Sequence, residues 1–229
     1  MQPVRGIVDP TLWPIVAARD SLPAVDPHRL SVPALRQRFA DAHDWQPELF
    51  GDAVRAREAG LRDAAVLVPI VMHESGSTVL LTERTATLSS HAGQVAFPGG
   101  RRDPEDPSAI WTALREAEEE VGLSREFVEV IGHLPDYLTG TGYRVTPVVA
   151  LVRPQFTLTL QTFEVAEAFE VPLSFLMDPA HHQLRRMTHL GAERTFYAMP
   201  YRPTAVGREY FIWGATAAML RNLYRFLSA

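Results

Sequence analysis

The chain contains no cysteine. Disulfides, zinc–thiolate sites and thiol catalysis are therefore excluded. It also lacks a long apolar run. The longest, residues 64–72, falls well short of the about 20 residues that span a bilayer. The N-terminal residues lack the basic-then-apolar pattern of a signal peptide, so a cytoplasmic protein with no membrane partner is expected. Basic charge is not in excess: 22 Lys and Arg stand against 27 Asp and Glu, a net charge of −5. No basic field draws nucleic acid, although a small phosphorylated molecule needs only a local basic patch. Repeats and low-complexity tracts are absent too. What remains is an ordinary globular composition, 46% hydrophobic and 21% charged, spread over 229 residues.

The most informative stretch is residues 99–123, GGRRDPEDPSAIWTALREAEEEVGL. Asp106 followed by Pro107 predicts an N-cap with proline at the first helical position. Gly122 predicts the left-handed residue that ends the helix. Between them Ile110, Leu114, Ala117 and Val121 form one narrow apolar stripe at about 100° per residue. Glu116, Glu119 and Glu120 fall beside that stripe, within an arc of roughly 100°; Glu118 points elsewhere. Like charges at this spacing destabilise a helix by a few tenths of a kcal/mol per pair, and the C-terminal end of the helix dipole disfavours them further. A hard divalent cation such as Mg²⁺, held by carboxylates and substrate phosphates, reverses both penalties. A solvated acidic face is the alternative. Arg115, one turn before Glu119, and the glycine loop upstream argue against it.

Arg115-Glu116-Ala117-Glu118-Glu119-Glu120-Val121-Gly122-Leu123 resembles the second half of the Nudix box: Gly, five residues, Glu, seven residues, then Arg-Glu-apolar-any-Glu-Glu-any-Gly-apolar. The first half departs from the pattern. Counting from Gly99 puts Glu105 at the acidic position, with nine residues before Arg115; counting from Gly100 puts Asp106 there, with eight. Three further stretches resemble the coenzyme A pyrophosphatase branch of that family: Leu80-Leu-Thr-Glu-Arg84 with Gly93 and Phe97-Pro-Gly-Gly100, Thr141 to Val149 with its Gly-Tyr loop, and Trp213-Gly-Ala-Thr216. Two positions depart from the branch. Thr85 replaces a serine or alanine, and Ser89 replaces an arginine.

The resemblance implies an α/β (α+β) Nudix fold, an α/β/α sandwich around a mixed β-sheet, over residues 63–229, preceded by a Pro-rich and helical extension over residues 1–62. It implies a Mg²⁺- or Mn²⁺-dependent diphosphatase acting on a small phosphorylated nucleotide such as coenzyme A. Glu116 and Glu120 are then direct metal ligands, and the carbonyl of Gly100 joins the shell. Glu119 is a ligand to a second ion or the proton acceptor; Glu164 is a further ligand or the alternative base. Arg115 orients Glu119 and holds the glycine loop. Arg84, His91, Gln94 and Tyr143 are the substrate-binding candidates, with Tyr143 either stacking on a base or packing on the core. A regulator that binds a nucleotide without hydrolysis is the reading from another class, and the intact box carboxylates weigh against it.

Elsewhere, five prolines before residue 30 predict an extended arm pinned by Trp13. Short helices are expected at residues 31–40, with Leu35 and Phe39 on one face, and at residues 47–59, with Ser31 or Ser21 as caps. This region either covers the cleft, forms a homodimer contact, or packs with no role in chemistry. Residues 64–72 and 78–84 predict a hairpin. Residues 127–134 and 144–152 predict strands, the second an edge or bulged one because of Pro147. Glu167, Glu170, His181 and His182 are expected at the surface. Residues 184–199 predict a hairpin around Gly191, and a final helix is expected to open at residue 210.

Overall fold

A computed structural model describes residues 9–18, 22–41, 44–48, 60–86, 93–189, 192–203 and 207–229. The expected caps and turn at Ser21 and Gly191, Ser89, His91 and most of the predicted helix over residues 47–59 lie outside the described residues.

Two long apolar strands form the centre. β2 (Arg62–Val71) runs parallel to β8 (Tyr143–Val152) over ten consecutive pairs, from Arg62↔Tyr143 to Val71↔Val152. Both are buried on two faces, which is why they read as near-continuous apolar runs rather than as alternation. β3 (Thr78–Arg84) leaves β2 after two pairs and passes between β4 (Val95–Ala96) and β9 (Val165–Pro172). The short β5 (Gly99–Arg101) pairs with the start of β2, while β6 (Val128–His133) and β7 (Tyr137–Leu138) pair with β8. Pro147 is thus in an interior strand, not at an edge. It falls between the last pair with β6, His133↔Val148, and the first with β7, Tyr137↔Val145, and its carbonyl accepts from Leu134 N, so the N–H it lacks breaks neither ladder.

One face of this sheet carries α2 (Ala109–Val121), packed through Ala113, Ala117 and Val121 onto Ala65, Leu67, Val148 and Ala150. The other face packs onto α1 (Val32–Ala40), α4 (Gly214–Ser228) and a second sheet. That four-stranded antiparallel sheet, in the order β1 (Ile15–Ala18), β10 (Gln183–His189), β11 (Ala192–Tyr201) and β12 (Tyr210–Trp213), goes beyond the single sheet expected. Residues 210–213 form its last strand, so the final helix starts only at Gly214. The extended arm is pinned as expected: the Trp13 ring stands edge-on to Phe196 at 5.1 Å and to Trp213 at 5.8 Å. In α1, Leu35 is buried and Phe39 packs on Phe226. Ser31 takes the N-cap position of α1 but makes no side-chain cap; its hydroxyl donates to the His28 carbonyl.

Three side chains expected at the surface are engaged. His182 is 2% exposed and its Nε2 lies 2.8 Å from the Leu176 carbonyl. Burial drives its pKa down to about 4, so the ring is neutral. Glu167 binds Arg208 and accepts from the Tyr210 hydroxyl. Glu170 binds His73 and accepts from the Thr78 hydroxyl. Polar groups this close to the sheet need partners once water is removed. After β9, α3 (Leu173–Leu176) forms a single short helical turn. Among the described residues, no helix is long and apolar enough to cross a membrane.

Candidate active site

The α2 helix begins two residues later than predicted. Ser108 is the N-cap, its hydroxyl accepting from Trp111 N at 3.2 Å. Its C-terminal end is where Gly122 puts it, at φ +71°, and a Cβ there would meet Thr159 N at 2.8 Å. The buried stripe is also rotated from the expected one. Ile110 is 41% exposed, and the seam instead runs through Ala113, Ala117 and Val121. Alanines at the centre of the contact let the helix axis lie close to β2 and β8. That close approach carries Glu116 and Glu120 into the sheet, whereas a Leu/Ile seam would hold them away.

Asp106, released from capping, has a different task. It is 4% exposed and takes both arms of Arg115, Nε to Oδ1 at 3.1 Å and Nη2 to Oδ2 at 2.9 Å. Arg115 hydrogen bonds hold its carboxyl far below the usual range, with smaller help from Asp103 N and the Thr112 hydroxyl. Glu105 is exposed. Of the two spacings left open by the sequence, the longer loop therefore uses Asp106, counted from Gly100. Arg115 Nη2 also reaches the Arg101 carbonyl at 3.2 Å and Glu116 Oε1 at 3.0 Å, and its Nη1 reaches Glu119 Oε2 at 2.9 Å. One guanidinium ties helix, loop and two box carboxylates together.

The three glutamates differ sharply in setting. Glu120 is 5% exposed; the Gly99 N–H donates to its Oε2 at 3.0 Å and Arg84 Nη1 stands 3.7 Å from its Oε1. Burial outweighs both and pushes its pKa up to about 7. Glu116 rests against Gly100, where a Cβ would come within 2.6 Å of its carboxyl carbon. Burial raises its pKa also, against the pull of Arg115. Glu119 is mostly exposed and turned toward Arg115. Glu164, half-exposed at the start of β9, lies 4.0 Å from Arg84 Nη2. Its turn is fixed by Gln161 N donating to the Glu120 carbonyl and by Thr85 N donating to the Glu164 carbonyl.

The fold thus gathers Arg84, Gly99, Gly100, Arg115, Glu116, Glu119, Glu120 and Glu164. Gln94 lies across from Arg84, its carbonyl accepting from Arg84 N at 3.0 Å. Tyr143 is set apart at the start of β8, its ring half-buried beneath Arg62, whose guanidinium lies 4.1 Å from the ring centroid. Among the described residues, no three carboxylates or histidines converge in a ready-made metal cluster. The Arg84 guanidinium, between Glu120 and Glu164, supplies the positive charge there. The donor set nonetheless fits a hard divalent cation: a buried Glu120 and a partly buried Glu116, both with raised pKa values, beside a glycine whose missing Cβ leaves the Glu116 carboxyl room. A cation at this place relieves the cost of ionising both.

This is a carboxylate site on a glycine loop and helix, the arrangement expected for a hydrolase of phosphoric anhydrides. Residues 61–191 match the NUDIX domain family model. The chain is 44% identical over 162 residues to "Uncharacterized Nudix hydrolase NudL" of Photorhabdus laumondii, covering 71% of this chain and 83% of that protein. It is 43% identical to the protein of the same description from Escherichia coli K12, covering 71% and 81%. A solved Caenorhabditis elegans Ap4A hydrolase is 22% identical, covering 52% of this chain and 86% of that one with a TM-score of 0.43. The chain belongs to the Nudix family and is a pyrophosphohydrolase of that family, which works with a divalent cation.

Proposed function

We propose that the protein is a diphosphatase that cuts the pyrophosphate bridge of coenzyme A or its derivatives. The products are adenosine 3′,5′-bisphosphate and 4′-phosphopantetheine, and Mg²⁺ or Mn²⁺ is the cation. The observation that carries the chemistry is the buried Glu120, hydrogen-bonded to Gly99 N–H and beside Arg84. The stretches at residues 80–100, 141–149 and 213–216 support the substrate. A cytoplasmic location fits that substrate.

Glu116, Glu120 and the Gly100 carbonyl are the groups that would hold the cation. When bound, it neutralises the diphosphate and lowers the pKa of a water molecule. Arg115 keeps Glu119 and the loop in register through Asp106 and the Arg101 carbonyl. Glu119 or Glu164 accepts the proton of the attacking water, both being exposed enough to exchange it with solvent. Arg84 binds a phosphate oxygen, a task that suits a guanidinium.

The test is product analysis after incubation with coenzyme A and Mg²⁺ or Mn²⁺, beside ADP-ribose, NADH and a nucleotide sugar. Coenzyme A should yield both named products. Activity on the other substrates alone would overturn the substrate while keeping the chemistry. The serine at position 89, where the branch has arginine, is the feature that favours that second reading.

A further inference from the structure

Between the start of β2 and the loop after β5 lies an open cavity of about 310 Å³, lined by Arg62, Asp63, Arg101, Arg102, Asp103 and Pro104. Its acids and bases do not cancel. Asp63 is taken by Arg144, with Oδ1 2.6 Å from Nη2. Asp103 faces Arg115, with Oδ2 3.7 Å from Nη2. Among the described residues, Arg62, Arg101 and Arg102 have no carboxylate partner. Arg62 is steadied by neutral groups, the Tyr143 ring and the Thr141 carbonyl, to which its Nη2 donates at 3.3 Å. Arg102 Nε and Nη2 donate to the Asp106 carbonyl at 3.1 and 3.0 Å. Arg101 is exposed and makes no side-chain hydrogen bond with a described residue. Two guanidinium groups are therefore held in position with their charge intact. The third is free to close on a ligand.

The cavity opens one residue beyond Gly100, the glycine against which Glu116 rests. Arg115, which braces the box carboxylates, reaches this lining through the Arg101 carbonyl at 3.2 Å and Asp103 at 3.7 Å. Guanidinium groups match the oxygens of a phosphate in pairs.

We propose that this cavity receives a phosphate monoester carried by the substrate beside its diphosphate, with Arg62 and Arg101 as the clamping residues and Arg102 as the fixed positive wall. This rests on the reading that a diphosphate is cut at the Glu116–Glu120 loop, and adds recognition of a second phosphorylated position. In coenzyme A that group is the ribose 3′-phosphate; a ribose 2′-phosphate presents the same chemistry.

Two measurements on the full chain test it. The first is calorimetric binding of adenosine 3′,5′-bisphosphate, adenosine 2′,5′-bisphosphate and AMP. The second is kcat/KM for coenzyme A against 3′-dephospho-coenzyme A. The wild type should bind a bisphosphate at least about tenfold more tightly than AMP, as expected when charge-assisted bonds are gained. It should favour coenzyme A by a similar factor, chiefly through KM. In Arg62→Gln and Arg101→Gln both ratios should fall toward one; Arg101, exposed and unbonded, can be replaced without risk to folding. Equal affinity for all three nucleotides, or ratios unchanged in Arg101→Gln, would overturn the proposal. A bisphosphate preference that is lost in the variants, in a protein that does not hydrolyse coenzyme A, supports the cavity and refutes the substrate. Tighter binding of the 2′,5′ isomer, lost in the variants, supports the cavity and names a ribose 2′-phosphate as its preferred occupant. Hydrolysis of coenzyme A no faster than of its dephospho form refutes the cavity and leaves the substrate standing.

Discussion

Arg115 and Asp106 are joined by two bonds, Nε to Oδ1 at 3.1 Å and Nη2 to Oδ2 at 2.9 Å, across the longer loop of the box. The pair sets which acid serves the helix and holds the loop whose glycines face Glu116 and Glu120. Asp106 is buried and also accepts from Asp103 N and the Thr112 hydroxyl, so its removal loses several charge-assisted hydrogen bonds at once. Asp106→Ala should therefore lower unfolding free energy by about 2–4 kcal/mol, whereas Glu105→Ala should change it by less than about 0.5 kcal/mol. Urea denaturation of the two variants checks the assignment; equal effects would return the box to the Glu105 spacing.

The stability of the metal-free protein should carry the mark of Glu120. Its pKa is raised by burial to about 7 from 4.5. The folded state thus holds the proton more tightly than the unfolded chain, and stability falls as pH rises from about 4.5 to about 7. The size is on the order of 3 kcal/mol at about 1.4 kcal/mol per pKa unit. With a chelator present, the difference in melting temperature between wild type and Glu120→Gln should grow in the variant's favour over that window. Mg²⁺ or Mn²⁺ should remove most of the growth. A difference that is flat with pH would contradict the burial of an ionisable Glu120.

Gly99 and Gly100 should separate folding from catalysis. The nearest atoms to a Cβ at Gly100 belong to the Glu116 carboxyl group, at 2.6 Å, while those to one at Gly99 are the Ala65 carbonyl oxygen at 2.5 Å and the Val66 Cα at 2.6 Å. A side chain can rotate away, but the paired backbone of β2 cannot. Gly100→Ala should keep its melting temperature within a few degrees and lose roughly a hundredfold or more in kcat, because a misplaced ligand costs that much. Gly99→Ala should lose stability first. Thermal melts beside steady-state rates distinguish the two.

Arg84 should act on substrate rather than on folding. Its guanidinium stands between Glu120 and Glu164, and its Nε is buried with no hydrogen-bond partner among the described residues. Such a group gains by meeting a phosphate. Arg84→Gln should raise KM for the diphosphate substrate roughly tenfold or more. An unchanged KM would remove Arg84 from substrate binding.

Much of this was legible in the residues. Gly122 marks the helix end because only a residue at ease in the left-handed region fits there, and the β-branched runs of β2, β6 and β8 announce a buried sheet. Helical spacing places Glu116, Glu119 and Glu120 on one arc, and the resemblance to the Nudix box singles out Glu116 and Glu120 among them. Other features depend on tertiary partners that spacing does not encode. Asp106 reads as a cap because Asp-Pro is a common helix start, yet Arg115 offers it a stronger partner than a backbone N–H. Ile110 looked like core because it is apolar, but the small Ala113 and Ala117 decide which face can approach the sheet. Pro147 suggests an edge or a bulge, whereas a gap between β6 and β7 accommodates its missing donor. His182 lies in a polar-looking stretch and is buried between Tyr197 of β11 and Tyr224 of α4. The basic cavity at Arg62 and Arg101 joins residues 39 positions apart and has no local signature.

The most direct test of the central claim is Mn²⁺ binding, read from the electron paramagnetic resonance signal of the free ion, in wild type and Glu120→Gln with a diphosphate present. The account predicts that wild type depletes the free signal and that the variant, still folded, weakens binding by roughly tenfold or more. Equal depletion by the two proteins would contradict it.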